Sequence, residues 1–222
     1  MNKTLVSWSS GKDSAWLVHT IRTSMPEYDI RALLTTINQD ANRVAMHAVR
    51  TDVLQAQAQA LDLPLWMVPI PSPCPNEVYE QAMGAAVARA VAEGFTHVAF
   101  GDLFLEDVRR YREDRLAGTG LTPIFPLFGS ETTALAQTMV ANGLRARISC
   151  LNPKYLDRSF AGREFDTQLL QDLPADVDRC AERGEFHTCA YAGPMFAHPI
   201  PIETGIVVER DGFVFTDLTL KA

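Results

Sequence analysis

The sequence predicts an α/β protein in which a parallel sheet comes first and a smaller α/β unit, ending in an antiparallel hairpin, comes second. Three observations carry this prediction. Apolar strand segments alternate with helical segments in the first half, the second half is less regular, and an Asp-Gly pair joins two alternating runs near the end. Strands that alternate with helices of this length form right-handed βαβ units around a parallel sheet. We expect two domains, residues 1–103 and residues 104–222.

The first half predicts four strands separated by three helices. The segments with strand-like composition are residues 3–8, 30–37, 64–70 and 95–102. Apolar residues recur at helical spacing in residues 13–23, 44–61 and 76–93, and the second of these helices has a Gln- and Ala-rich face that we expect to be exposed. Prolines exclude helix just before residue 76.

The second half predicts a mixture of shorter elements. "LEDVRRYREDRLAGTG" and "ETTALAQTMVANG" are typical of helices, "LRARISCL" of a strand, and "TPIFPLF" of a short strand or an extended segment. The last run, "TGIVVERDGFVFTDLTL", contains two alternating segments joined by Asp211-Gly212. Asp-Gly between alternating segments is a strong signal for a two-residue hairpin.

Composition narrows the class of protein. The chain has 222 residues, 47% hydrophobic residues and a formal net charge of −7. An acidic chain argues against a large sequence-independent nucleic-acid surface, which needs a basic stripe. The four cysteines form no CxxC pair, and no apolar run approaches the length of a membrane span. We expect a cytoplasmic protein with free thiols.

The stretch "SWSSGKDSAW", residues 7–16, follows the first predicted strand and opens the first predicted helix. A Gly-Lys pair in this position invites comparison with the Walker A motif, G-x-x-x-x-G-K-[ST]. The match fails, because Val6 stands where that motif needs its first glycine and Asp13 stands where it needs a hydroxyl. If the loop binds phosphate, it is a phosphate-binding loop of a kind other than Walker A.

The residue types in this loop suit an anion. Gly11 allows a tight turn and a close approach, and Lys12 adds a full positive charge beside the N–H groups of a helix N-terminus. Asp13 either caps the helix or holds Mg²⁺ beside a polyphosphate. The candidate nucleotide-binding residues are Ser9, Ser10, Gly11, Lys12, Asp13 and Ser14. A polar strand–helix turn without a ligand is the alternative.

Strand–"SSGKDS"–helix resembles the PP-loop of ATP pyrophosphatases, whose usual form is S-G-G-x-D-S. Gly11, Asp13 and Ser14 match, and Ser10 stands at the usual first glycine. The resemblance implies a Rossmann-like fold of the HUP/PP-loop type that binds ATP with Mg²⁺. It also implies cleavage between the α and β phosphates and transfer of AMP to a substrate oxygen.

Further blocks resemble the diphthine–ammonia ligase family, in particular its short, single-module members. They are "FGDLFLEDVRRYRED", "FPLFG", "AGREFD", "CAERGEFHT" and "GPMF". Where that family often has C-G-E-N-G-E, residues 180–185 keep both glutamates, Glu182 and Glu185, but place Ala181 and Arg183 at the second and fourth positions. The resemblance runs from residue 4 to about residue 196.

The resemblance implies an ATP-dependent ligase that adenylates a carboxylate, releases pyrophosphate and forms an amide with ammonia or an amine. The expected partners are ATP, a carboxylate on a small molecule or a modified protein side chain, and the nitrogen donor. The candidate catalytic residues are Lys12, Asp102, Glu185 and His187. The candidate substrate residues are His47, Arg109, Arg112, Glu182 and Glu185, with Asp13 as the candidate metal ligand.

The chemistry of these residues fits such roles. Glu185 and His187 alternate on an extended segment, so they are expected to point the same way, and together they would orient an amine and take its proton. Arg109 and Arg112 offer bidentate donors for a carboxylate. A buried histidine bonded to a carbonyl and a helix-capping Asp102 are the alternatives.

Two other functions remain open from the sequence. One is a PP-loop ATP pyrophosphatase that acts on RNA, against which the acidic charge and the missing CxxC pair count. The other is a non-catalytic adenine-nucleotide sensor built on the same sheet.

Overall fold

The computed structural model describes residues 1–45 and 47–221 and contains ten strands and six α-helices in that part of the chain. The strands are β1 (Asn2–Ser7), β2 (Tyr28–Asn38), β3 (Arg43–Val44), β4 (Leu65–Ile70), β5 (His97–Ala99), β6 (Thr122–Ile124), β7 (Arg145–Leu151), β8 (Phe186–Ala192), β9 (Ile202–Arg210) and β10 (Phe213–Leu220). The helices are α1 (Lys12–Ser24), α2 (Thr51–Leu61), α3 (Asn76–Ala92), α4 (Glu106–Leu116), α5 (Thr132–Ala141) and α6 (Thr167–Asp172).

The first sheet is parallel apart from one short strand, which confirms the predicted α/β class. β1 pairs in parallel with β2 and β5, β2 pairs in parallel with β4, and β5 pairs in parallel with β6. The two-residue β3 is antiparallel to β2. The parallel strands therefore follow the order β4-β2-β1-β5-β6, a Rossmann-like arrangement with β1 in the centre.

The second sheet is antiparallel, with the order β8-β7-β10-β9. Its last two strands form the predicted hairpin, in which Asp211 and Gly212 have φ of 54° and 78°. Two consecutive positive φ angles are the signature of the type I′ turn that Asp-Gly favours. The hairpin is confirmed.

The core has two parts, one on each face of the parallel sheet. Because successive side chains of a strand alternate, Val6 joins a cluster with α1, α2 and the second sheet, whereas Leu5 joins a cluster under α3 and α4. α1 and α2 also contact β8 and β10. The two sheets thus share one hydrophobic core.

The parallel sheet extends past the predicted domain boundary at residue 103. Its last strand, β6, lies at Thr122–Ile124, and α4 precedes it. The second sheet begins with β7 at Arg145, so the switch from one sheet to the other falls between residues 124 and 145. β6 lies inside "TPIFPLF", the segment predicted as a short strand or an extended segment.

The predicted helix at residues 44–61 is wrong over its first part. The helix begins only at Thr51, and β3 with a loop occupies residues 43–50, of which Met46 lies outside the described residues. Ala48 has a positive φ of 55°. Arg43 and Arg50 both bond to Asp217 of β10, so contacts with the second sheet hold this segment out of a helix.

No helix within residues 1–45 and 47–221 is long and apolar enough to span a lipid bilayer.

The Asp217 cluster yields a stability prediction. Arg50 and Arg43 hold the pKa of Asp217 at about 2, below its usual value of 3.8. The ionised pair therefore stabilises the fold above the usual pKa, and this contribution is lost as the pH falls through about 2. Asp217→Asn should lower the free energy of unfolding by about 1–3 kcal/mol at pH 7. Urea unfolding measures it, and an unchanged stability contradicts the role.

A matched control is Asp211→Asn, because Asn also suits the first position of the hairpin turn. The difference in the free energy of unfolding between the wild type and Asp217→Asn should become smaller as the pH is lowered from 5 towards 2. The free energy of unfolding of Asp211→Asn should stay close to that of the wild type at every pH.

Candidate active site

The β1–α1 loop lies beyond the carboxyl end of the central strand, where ligands bind in open parallel sheets. α1 begins at Lys12 and has Gly11 as its extended N-cap, with no side-chain capping bond. The Lys12 N–H donates to Thr188 Oγ1 of β8 at 3.1 Å. The loop therefore lies between the parallel sheet and the second sheet.

Ser10 adopts the left-handed backbone conformation, with φ of 69°. Its carbonyl oxygen accepts from the Ala190 N–H at 2.9 Å and from Gln57 Nε2 at 3.0 Å. Its buried hydroxyl has no hydrogen-bond partner among the described residues. Positive φ favours glycine, which is the residue that the PP-loop pattern has at this position.

Gln57 is a residue that the sequence argument missed. It lies on α2 and is fully buried, although its helix face was expected to be exposed. Its Oε1 accepts from Trp8 Nε1 at 3.2 Å, and its Nε2 also donates to the Ala190 carbonyl at 2.6 Å. No local pattern marks Gln57, because its partners are distant in the sequence.

Gly11 is required for close packing. A Cβ at this position would lie 2.9 Å from His47 Cε1 and 3.3 Å from Ser9 Oγ. Real Cβ atoms do not approach other atoms to 2.9 Å. In this structure the close neighbour of Gly11 is the His47 ring, and the close approach of an anion stays a prediction.

Lys12 is a buried cation in a network of acceptors. Its Nζ donates to Asp13 Oδ2 at 2.8 Å and to the Cys180 carbonyl. Burial is the largest influence and opposes the charge, but Asp13, Cys180 and Glu182 together outweigh it, so the pKa of Lys12 lies above its usual value. An ammonium has three N–H donors, so one is left for a ligand.

The loop that contains Cys180 is held by Glu185. This carboxylate is 2% exposed and accepts the N–H groups of Asp178 at 3.1 Å and Arg183 at 3.0 Å. Glu185 is not among the residues that line the neighbouring cavity beside Lys12 and Glu182, here called the reaction cavity. The geometry favours a positioning role for Glu185, and its predicted catalytic and substrate roles stay predictions.

Ala181 repeats the situation at Ser10. It has φ of 58°, and it stands where the family pattern C-G-E-N-G-E has glycine. The next residue, Glu182, donates its N–H to Asp178 Oδ2 at 2.8 Å. The turn therefore keeps a glycine-like conformation that local hydrogen bonds support.

Glu182 is a carboxylate poised to titrate near neutral pH. Its Oε1 accepts the Leu103 N–H at 2.7 Å. Burial is the main reason why the pKa of Glu182 rises to about 7, and Asp13 and Asp102 add to the effect. A pKa near the working pH is what general acid–base catalysis requires.

Two histidine rings pack against each other beside the loop, tilted by 45°. The rings of His47 and His187 lie 4.6 Å apart, and His47 Nδ1 lies 3.2 Å from the Thr188 carbonyl. Burial lowers the pKa of His47 to about 3 and that of His187 to about 4, with the neighbouring positive charges adding to the shift. Both rings are neutral at pH 7, so His187 is a weaker base than Glu182.

Asp102 and Arg112 form a bidentate ion pair. Arg112 Nε donates to Asp102 Oδ2 at 2.7 Å and Nη2 donates to Oδ1 at 3.0 Å. The guanidinium also lies over Phe100 at 4.4 Å. Arg109 instead pairs with Glu113 and packs near Phe128, and it is not among the residues that line the reaction cavity.

The reaction cavity has a volume of about 270 Å³ and is lined by most of the predicted site residues. From the loop and its neighbour it takes Ser9, Lys12, Asp13, Ser14 and His47. From later in the chain it takes Asp102, Arg112, Glu182 and His187. Ser10 and Gly11 shape the loop without lining this cavity.

The described residues contain no group of three or more His, Cys, Asp or Glu side chains that could hold a metal ion. Asp13 Oδ1 is nevertheless buried without a hydrogen-bond partner within the described ranges. A lone carboxylate oxygen fits Mg²⁺, which keeps several waters and takes substrate phosphates as ligands.

The fold and the cavity define a Rossmann-like α/β protein with a candidate active site between its two sheets. Residues 131–215 match the family model of the diphthamide synthase C-terminal domain, so this part of the chain is similar to that family. The matched region includes Glu182 and His187. No curated protein matches the chain.

Replacing Ser10 by glycine should stabilise the protein. The change removes the left-handed strain, which costs about 1–2 kcal/mol, and it removes the buried unpaired hydroxyl. Against this, glycine gives the unfolded chain more conformational entropy, which lowers stability by about 0.5–1 kcal/mol. The expected net gain in the free energy of unfolding is about 1–2 kcal/mol. Denaturant unfolding measures it.

Ser10→Ala is the matched control, because it removes the hydroxyl but keeps the Cβ. It should recover less stability than Ser10→Gly. Equal stability of the two variants would show that Ser10 is not strained.

Proposed function

We propose that the protein is an ATP-dependent ligase that adenylates a carboxylate with release of pyrophosphate and then forms an amide with ammonia or an amine. The observation that carries the proposal is the reaction cavity, where the buried cation Lys12 lies with Glu182, a carboxylate whose pKa is about 7. A fixed positive charge and a base that titrates near neutrality suit the two halves of this reaction. The family match supports the same class of enzyme.

The β1–α1 loop is the proposed phosphate site. Ser9 and Ser14 offer hydroxyls, 3.1 Å from each other, and Lys12 retains one N–H for a phosphate oxygen. The N-terminus of α1 adds a partial positive charge. A second cavity of about 520 Å³ shares Ser9 and His47 with the reaction cavity and has room for the nucleoside. We call it the strand-edge cavity.

Asp13 is the proposed protein ligand of Mg²⁺, through the Oδ1 atom that has no partner among the described residues. The ion would neutralise charge on the phosphates as pyrophosphate leaves. Lys12 would remain the counter-ion of Asp13 Oδ2.

Glu182 is the proposed proton acceptor in the second half of the reaction. When a nitrogen attacks the acyl carbon it gains positive charge and must lose a proton before AMP leaves. Glu182 takes that proton because the pKa of its carboxyl, about 7, leaves a large ionised fraction at neutral pH. The neutral ring of His187 can accept a hydrogen bond from the incoming amine and orient it.

The first test is a product assay with ATP, Mg²⁺ and ammonium in the presence of candidate acids. Pyrophosphate and AMP in equal amounts are expected. Lys12→Ala and Asp13→Ala should each abolish their release while thermal unfolding stays cooperative, because both variants lose charge at the phosphate site. Lys154→Ala, an exposed lysine outside the site, is the control and should retain activity.

ADP and phosphate as products would contradict the proposal. So would pyrophosphate release that persists in both the Lys12 and the Asp13 variants. Tight ATP binding without turnover in any acid mixture would favour a nucleotide sensor.

The pH dependence of amide formation tests Glu182. Because the ionised form is the base, kcat/KM should rise as the pH increases through about 7. Glu182→Gln should lower the rate about 10²–10³-fold and remove this dependence. Glu27→Gln, on an exposed carboxylate far from the cavity in sequence, should behave like the wild type. An unchanged profile in Glu182→Gln would rule Glu182 out as the base.

A further inference from the structure

Three cavities meet at Phe100 and Arg112. The reaction cavity and the strand-edge cavity share this wall with a third cavity of about 510 Å³, which lies between α3 and α4 and is here called the interhelix cavity. The strand-edge and interhelix cavities also share Tyr79, Met83 and Val87. The interhelix cavity therefore adjoins the reaction cavity at Phe100 and Arg112.

The interhelix cavity is walled mainly by apolar groups. Met83, Val87, Phe100 and Leu116 line it. The 17-residue α3 buries only Ala86 and Ala90, so much of its apolar surface remains uncovered. Apolar cavities of this size with few polar groups are typical of small-molecule sites.

Arg112 supplies a polar group at the end of the interhelix cavity that adjoins the reaction cavity. Its Nε and Nη2 are bonded to Asp102, which leaves the Nη1 hydrogens for a second acceptor. Stacking on Phe100 at 4.4 Å holds the guanidinium plane. A carboxylate at the junction of the cavities would find an oriented donor there.

On the solvent side of the interhelix cavity, an ion pair bridges Glu80 of α3 and Arg115 of α4. Both side chains are more than 40% exposed, so the bridge lies at the solvent boundary. A cavity of about 510 Å³ whose outer side is bridged in this way has room for a small free acid.

We propose that the interhelix cavity binds the apolar body of the acceptor substrate, which is a free carboxylic acid with a hydrophobic chain. Arg112 holds the carboxylate at the mouth of the reaction cavity, and Gly84, Ala88 and Tyr111, which line the interhelix cavity but not the strand-edge cavity, lie along the chain. This inference rests on the proposed ligase function, and it narrows the acceptor from any carboxylate to a hydrophobic one.

The test measures binding and turnover for a series of free acids: acetate, butanoate, hexanoate and octanoate. Calorimetric affinity should rise about two- to fourfold for each added CH₂ that enters the cavity, since burying one CH₂ contributes up to about 0.8 kcal/mol. Pyrophosphate release from ATP should follow the same order. Equal binding and equal stimulation by acetate and octanoate would overturn the proposal.

Gly84 offers a variant that fills the cavity. It lines the interhelix cavity but not the other two, and an added Cβ would have nothing within 4 Å. Gly84→Leu should fold, because leucine is a better helix former than glycine. Octanoate affinity should fall at least tenfold, while ATP binding stays at the wild-type level.

Ala85→Leu is the matched control, since it adds a leucine to the exposed neighbouring position of α3 outside the cavity. It should leave octanoate binding unchanged. Unchanged octanoate binding in Gly84→Leu would overturn the proposal, and so would pyrophosphate release that only a protein-bound acid stimulates.

The two proposals fail in different ways. ADP and phosphate as products, or no ATP binding, would defeat the ligase function itself. Pyrophosphate release without dependence on chain length would keep the ligase function and defeat the hydrophobic acceptor. Octanoate binding that Gly84→Leu abolishes, without stimulation of pyrophosphate release, would show that the cavity does not bind the acceptor.

Discussion

The arrangement of the site depends on the hydrogen bonds to the Ser10 carbonyl. Gln57 and the Ala190 N–H both bind this oxygen, and Gln57 also binds Trp8 and the Ala190 carbonyl. One buried amide thus joins the end of β1, the β1–α1 loop and β8. Because the carbonyl is held between two sheets, Ser10 stays in a left-handed conformation and Lys12 enters the core beside Cys180.

Both turns around Lys12 use backbone conformations that glycine adopts more easily. Ser10 and Ala181 have φ of 69° and 58°, and the related family patterns have glycine at both positions. Left-handed non-glycine residues persist only where surrounding contacts over-determine them. Here the Gln57 bonds and the Glu185 and Asp178 carboxylates supply those contacts. The site is held rigid by hydrogen bonds at some cost in stability.

Burial shifts the pKa values of the ionisable groups in the reaction cavity in opposite directions. It raises the pKa of Glu182 to about 7 and lowers the pKa values of His47 and His187 to about 3 and 4. Lys12 keeps its charge because Asp13 lies 2.8 Å away. The reaction cavity therefore contains the cation Lys12, the carboxylate Glu182 with a pKa of about 7, and two imidazole rings that are neutral at that pH.

The sequence by itself determined what depends on near neighbours. Hydrophobic periodicity predicted β1, α1, α3 and the alternation of strands and helices, and Asp211-Gly212 predicted the hairpin. The loop motif and the GEFHT block predicted five of the residues that line the reaction cavity: Ser9, Lys12, Asp13, Ser14 and His187. Only the tertiary structure decided that α2 starts at Thr51, because arginines of the preceding segment bond to a residue more than 160 positions away. It also decided that Gln57 is buried, since its partners Trp8 and Ala190 are far from it in the sequence and only folding brings them within hydrogen-bond distance.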